Sequence, residues 1–107
     1  MNRYASALSR HPVPAHAVGE TAGEVLEQLG ADDADLLVCF VSPHFLGALD
    51  DMVHAIQNLL EPRVLLAVST GAVVGDGREV EDGPALAVFA ARLPEVRLTP
   101  VAMRVEE

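Results

Sequence analysis

The chain of 107 residues contains no lysine, and its seven arginines are scattered singly along the sequence. Its 16 acidic residues give a formal net charge of −9 at pH 7. Nucleic-acid backbones and anionic membrane surfaces are both bound by clustered basic side chains. We therefore expect neither nucleic acid nor membrane among its partners. An acidic surface remains compatible with a small-molecule ligand or a protein partner.

Long apolar runs and paired cysteines are also missing. Half of the residues are hydrophobic, yet no uninterrupted run approaches the roughly 20 residues that a membrane-spanning helix needs. The first residues, MNRYASALSRHP, lack the charged and apolar regions of a secretory signal. Cys39 is the single cysteine and cannot form an internal disulfide. These absences predict a cytoplasmic protein, and the length predicts one domain over residues 1–107.

The apolar pattern of the first two thirds predicts alternating strands and helices. YASALS (4–9) is a short candidate edge strand, and a helix runs from Pro14 to Gly30 on one apolar stripe. LLVCFV (36–41) and VLLAV (64–68) predict strands buried on both faces of a parallel sheet. Between them, residues 45–62 predict the strongest helix. The strand, helix and strand form a βαβ unit, whose crossover is expected to be right-handed.

Residues 84–94 and 96–105 are two further strand candidates joined by a turn around Pro94. Pro100 places the second of these strands at a sheet edge. The predicted fold class is therefore α/β. It is a single small domain with a βαβ unit of parallel strands, a further strand pair and two main helices.

The loop STGAVVGDG (69–77) allows three interpretations: a phosphate cradle, a ligand-lined turn or a hairpin connection. A phosphate loop of the Walker type needs a lysine that this segment lacks. A dinucleotide-binding loop needs the glycine spacing G-x-G-x-x-G followed directly by a helix. The spacing of Gly71, Gly75 and Gly77 differs from this, and no helical pattern follows. A tight turn between strands and a ligand site remain as alternatives.

A ligand site is favoured by the small polar residues that come directly after the two parallel strands. Ser42-Pro43-His44 comes after the first strand, and Ser69-Thr70-Gly71 comes after the second. Binding crevices form at the carboxyl ends of parallel strands, so the two loops are expected to share one rim. Their hydroxyl, imidazole and backbone N–H groups suit a small polar ligand such as a carboxylate or amide. The predicted ligand-binding residues are Ser42, His44, Ser69, Thr70 and Gly71.

We expect no catalytic residues, no metal and no cofactor. A serine or threonine nucleophile at this rim would need a base with an orienting acid, and only His44 is near in sequence. Cys39 lies inside an apolar run, which predicts a buried and inert thiol.

Asp50, Asp51 and His54 share a helix face, and a surface ion pair is the expected role of this group. A metal site would need a further ligand, for which His11 and His16 are the candidate donors.

Several ordered pieces of the sequence resemble the N-terminal domain of the FIST family (F-box and intracellular signal transduction). The principal stretch runs from Ser69 to Pro100. The resemblance is carried by five pieces that follow the order expected for the family. These are YASALS with the helix after it, DLLVCFVSPHF, LLAVSTGAVVG, REVEDGPALAV and ARLPEVRLTP. The resemblance implies a cytoplasmic sensory module that binds a small ligand such as an amino acid, without catalysis. The implied partners are a FIST C-terminal domain or a signalling protein.

The sequence departs from the family pattern in two ways. The family often has Gly-Cys before its Ser-Thr loop and Ala-Gly after it, where this chain has Ala67-Val68 and Gly71-Ala72. Family members usually continue into further domains, so the chain is expected to be incomplete relative to them. A missing half would leave a surface uncovered, which predicts a homodimer or pairing with another subunit. The alternative function is therefore a ligand-free interaction module or structural half-domain.

Overall fold

The computed structural model describes residues 3–30, 34–69, 73–75, 78–80 and 83–94. In chain order its elements are β1 (Arg3–Ser9), α1 (Pro14–Leu29), β2 (Leu36–Val41), a 3-10 helix (Pro43–Ala48), α2 (Leu49–Leu60), β3 (Val64–Ser69), β4 (Val73–Gly75), β5 (Arg78–Val80) and β6 (Leu86–Arg92). No helix within these ranges is long and apolar enough to cross a membrane.

Four strands form one mixed sheet in the order β1-β6-β2-β3. β2 and β3 pair in parallel with α2 between them in the chain, which confirms the predicted βαβ unit. β6 is antiparallel to both of its neighbours, β1 and β2. β1 is an edge strand, as predicted, and β1, β2 and β3 therefore all run in the same direction. The α/β class with two main helices is confirmed.

Both helices pack on the same face of this sheet. From β1 to β2 to β3 the chain moves across the sheet in one direction. Two crossover connections of the same hand therefore place α1 and α2 on the same side of the sheet. The apolar stripes of α1 and α2 face alternate side chains of β1, β2 and β6, where they form the main core. Its largest members are Leu29, Leu37, Phe45, Met52, Ile56 and Leu86.

The prediction that both parallel strands are buried on two faces was wrong. In β2, Leu37, Cys39 and Val41 are buried beneath the helices, whereas the intervening side chains are only half-buried. β3 is an edge strand, and its Leu66 and Val68 are exposed. The cause is that both described helices, α1 and α2, cover the same side of the sheet. We call the other side the open face.

The second helix differs at its start and in its buried face from the predicted span of 45–62. Its first residues form the 3-10 helix, and α2 begins at Leu49. It ends at Leu60, because Glu61 takes a left-handed conformation (φ 45°) and a proline follows. Leu46 and Leu59 belong to the apolar stripe of the segment 45–62 and are nevertheless exposed, since the stripe is wider than the contact with the sheet.

The described part of the last third contains one predicted strand and one short hairpin. β6 confirms the candidate strand at 84–94. The segment 96–105 lies outside the described residues. β4 pairs antiparallel with β5, so a hairpin occupies part of the glycine loop and lies against β1, β2 and β6. This arrangement supports the hairpin interpretation of the loop.

Candidate ligand site at the carboxyl ends of the strands

The sheet register aligns the ends of three strands along one rim. Ser9 in β1 pairs with Leu86 in β6, Leu86 pairs with Val41 in β2, and Val41 pairs with Ser69 in β3. The carboxyl ends of β2 and β3 therefore lie side by side, as predicted. α1 and the 3-10 helix leading to α2 also begin at this end of the molecule.

Ser42 lies at the rim, where its polar groups form hydrogen bonds within the protein. Its side chain is buried, with 4% of the residue exposed. The Ser42 N–H donates to the Ala85 carbonyl at 3.0 Å, and the Ser42 hydroxyl oxygen accepts from the Ala85 N–H at 3.0 Å. The Ser42 carbonyl accepts from the Phe45 N–H. Ser42 thus joins the end of β2 to the start of β6.

The other predicted site residues differ in their placement. His44 is exposed on the 3-10 helix, with its ring edge-on to the buried Phe45 at a centroid distance of 5.6 Å. Ser69 is exposed at the end of β3. Thr70 and Gly71 lie outside the described residues. The structure therefore brings Ser42, His44 and Ser69 to one rim, where the last two face solvent.

A third serine at this rim was not singled out from the sequence. Ser9 is buried, donates its hydroxyl hydrogen to the Glu20 carboxylate at 2.7 Å and accepts from the His11 N–H at 3.2 Å. In the sequence Ser9 has the same feature as Ser42 and Ser69, because it is a serine at the end of an apolar strand. The prediction left β1 without a direction, and the direction is what places Ser9 at this end.

The imidazole rings of His11 and His16 form a hydrogen bond with each other. His11 Nδ1 accepts from the Val13 N–H at 3.1 Å, which places the proton of a neutral His11 ring on Nε2. That nitrogen lies 3.1 Å from His16 Nδ1 and donates to it. In this tautomer neither nitrogen of His11 offers a lone pair to a metal. Among the described residues, no group of three or more metal-binding side chains is arranged to hold an ion.

An apolar groove opens between the first turns of α1 and α2, on the helix side of the rim. Its volume of about 320 Å³ is near the lower end of small-ligand sites. Asp51 is its one charged lining residue, and Met52 contributes to its floor. The lining consists of Val13, Pro14, Ala15, Val18, Ala48, Asp51, Met52 and Ala55.

Cys39 lies beneath the helices in the middle of β2 and is 1% exposed. Burial disfavours the thiolate and raises the pKa of the Cys39 thiol from about 9 to about 12. The thiol therefore stays protonated and away from solvent at neutral pH. The predicted burial of the cysteine is confirmed.

Because the pKa of the Cys39 thiol is raised in the folded protein, the stability of the fold depends on pH in the alkaline range. Above about pH 9 the unfolded chain loses the Cys39 proton while the folded chain keeps it, so the free energy of unfolding falls as the pH rises. The expected slope is about 1.4 kcal/mol per pH unit up to the folded pKa. Urea unfolding of the wild type and of Cys39→Ala at several alkaline pH values measures the difference. Equal slopes in the two proteins would contradict the assignment.

No protein-family model matches the chain, and no curated protein matches it either. The likeness to the FIST N-terminal domain therefore stays a prediction that rests on the ordered sequence pieces.

Proposed function

We propose that the chain is a cytoplasmic sensory module of FIST type that binds a small polar ligand, such as an amino acid, at the rim. The observation that supports this proposal is the pairing of Val41 with Ser69, which aligns the carboxyl ends of β2 and β3. Ligand crevices of open α/β sheets form at such carboxyl ends. The groove between α1 and α2 at the same end offers space for an apolar part of the ligand.

The rim residues have different roles in this proposal. Ser69 and His44 face solvent, and their hydroxyl and imidazole groups can each donate or accept a hydrogen bond to a carboxylate or amide. Thr70 and Gly71 are proposed contacts that come directly afterwards in the loop. Ser42 acts indirectly as a positioning residue, because its carbonyl holds the Phe45 N–H and thereby the turn that carries His44.

The proposed function is binding without turnover. The thiol of Cys39 is protonated and covered by the helices, so it cannot serve as a nucleophile for a ligand at the rim. Ser42 is buried, and its hydroxyl oxygen accepts from the Ala85 N–H. Sensing would then depend on ligand-dependent stabilisation of the rim.

Thermal unfolding with a panel of amino acids and their simple derivatives tests this proposal. A ligand at about 100 times its Kd is expected to stabilise the wild type by about 2.7 kcal/mol. Ser69→Val should abolish the effect, because valine keeps the strand but removes the hydroxyl. Ser6→Val, the same change in β1 and three residues from the rim, serves as the control. The proposal fails if no compound stabilises the wild type or if Ser69→Val responds normally.

The open face favours a second candidate function, a ligand-independent interaction module. Leu66, Val68 and Phe89 expose apolar side chains on a strand surface that the two helices do not cover. Patches of this kind mark interaction sites. A FIST C-terminal domain or a signalling protein is the partner that the sequence resemblance implies for such a surface.

A further inference from the structure

The open face carries a continuous apolar surface. Side chains alternate along each strand, so those between the helix-facing positions of β1, β2, β3 and β6 emerge together on this side. At the rim end, Leu8 and Ala87 are buried and β4 lies against β1, β2 and β6. The remaining part is formed chiefly by Tyr4, Leu36, Val38, Val64, Leu66 and Phe89.

This part of the face is unusually accessible for large apolar side chains. Tyr4 is 68% exposed, Leu66 is 49% exposed and Phe89 is 37% exposed. Phe89 stands edge-on to Phe40 at a centroid distance of 5.8 Å, which holds its ring in place. Together these side chains expose on the order of 500 Å² of apolar surface, near the upper end for soluble monomers. Rigid aromatic rings in such a patch are typical anchors of protein interfaces.

The charged side chains that the structure describes on the four-stranded sheet and on the two helices lie away from this face. By strand alternation Arg3 and Arg92 belong to the helix side, and Arg3 donates to the Leu29 carbonyl at the end of α1. The exposed acidic side chains of the two helices also lie on that side, and these are Glu20, Glu24, Glu27, Asp50 and Asp51. A basic partner would be attracted to the helix side. On the open face, the described side chains of β1, β2, β3 and β6 include no carboxylate. Two copies can therefore approach through this described part of the face without like charges opposing each other.

We propose that the open face binds the open face of a second copy of this chain. The two sheets would stack about 10 Å apart with the helices outside, and the contact would be symmetric, with the same residues on both copies. Each copy would bury on the order of 500 Å². The total then reaches the roughly 1,000 Å² that a specific interface needs. This size corresponds to a dimer that dissociates on dilution.

Sedimentation equilibrium of the complete chain tests the dimer over concentrations from about 1 to 500 µM. The wild type is expected to dimerise in this range, and Leu66→Glu should raise the dissociation constant at least about 30-fold. Leu59→Glu is the matched control, because Leu59 on α2 is 52% exposed and Leu66 is 49% exposed. Leu59→Glu should associate like the wild type.

A cross-linking experiment provides a second readout that does not depend on a destabilising charge. Phe89→Cys and Leu59→Cys are prepared in a Cys39→Ala background and treated with a short bis-maleimide. Phe89→Cys is expected to give a covalent dimer and Leu59→Cys is expected to stay monomeric.

Three results would overturn the proposal. The first is a wild type that stays monomeric at about 500 µM. The second is an equal loss of association in Leu66→Glu and Leu59→Glu. The third is a monomeric protein in which Leu66→Glu lowers the Tm steeply and Leu59→Glu does not. That result would show that residues of the same chain cover the open face. All measurements are made without ligand, so the outcome is independent of the proposed sensory function.

Discussion

Replacing Leu37 with alanine is expected to lower the free energy of unfolding by about 2–5 kcal/mol. Leu37 is the second residue of β2, has no exposed surface and packs into the main core between the sheet and the helices. The change removes buried apolar contacts and leaves a cavity that the surrounding side chains fill only in part. Urea denaturation followed by circular dichroism measures the loss.

Leu59→Ala is the matched control for this prediction. Leu59 lies on α2 and is exposed, so its truncation should change stability by less than about 0.5 kcal/mol. The two leucines looked similar in the sequence, because both belong to strongly apolar segments. A comparable loss in both variants would show that the core is not where the structure places it.

Ser42→Ala is expected to cost about 1–3 kcal/mol of stability in the absence of any ligand. The change removes the hydroxyl that accepts from the Ala85 N–H and leaves this buried donor without its partner. The junction between β2 and β6 would loosen, and the turn that holds His44 begins there. Hydrogen exchange of the Ala85 amide should accelerate together with the loss of stability.

Ser69→Ala provides the comparison at the same rim. Ser69 is exposed at the end of β3, so the change should alter stability by less than about 0.5 kcal/mol. In the sequence, Ser42 and Ser69 were equivalent candidate ligand contacts. Equal losses in the two variants would contradict the distinction between a structural serine at position 42 and a solvent-facing serine at position 69.

Much of the fold was predictable because local patterns determine it. The apolar stripe between Pro14 and Leu29 and the runs at 36–41 and 64–68 are each recognisable without distant contacts. A strong helix between two apolar runs then predicts their parallel pairing. These inferences needed only the spacing of apolar residues and the chain order.

The arrangement of the sheet needed information that no local pattern contains. β6 comes last in the described chain yet inserts between β1 and β2, and no nearby residue signals this position. The insertion makes the sheet mixed, and the open face leaves alternate residues of β2 only half-buried. An apolar run such as LLVCFV was therefore taken as buried on both faces, although both described helices lie on the same face.

The candidate site was predictable to a similar extent. Chain order and parallel pairing correctly brought the carboxyl ends of β2 and β3 together. The burial of Ser42 depends on Ala85, which directly precedes β6 and is 43 residues further along the chain, and the sequence did not place this segment. Ser9 was missed for the same reason, because its position at the rim depends on the pairing of β1 with β6.

Interstrand nuclear Overhauser effects between β2 and β3 test the shared rim most directly. The parallel register predicts contacts between the backbone protons around Leu36 and Val64 at one end, and around Val41 and Ser69 at the other. Contacts that join Val41 to Val64 would show antiparallel strands, with Ser42 and Ser69 at opposite ends of the sheet. That result would remove the proposed ligand site.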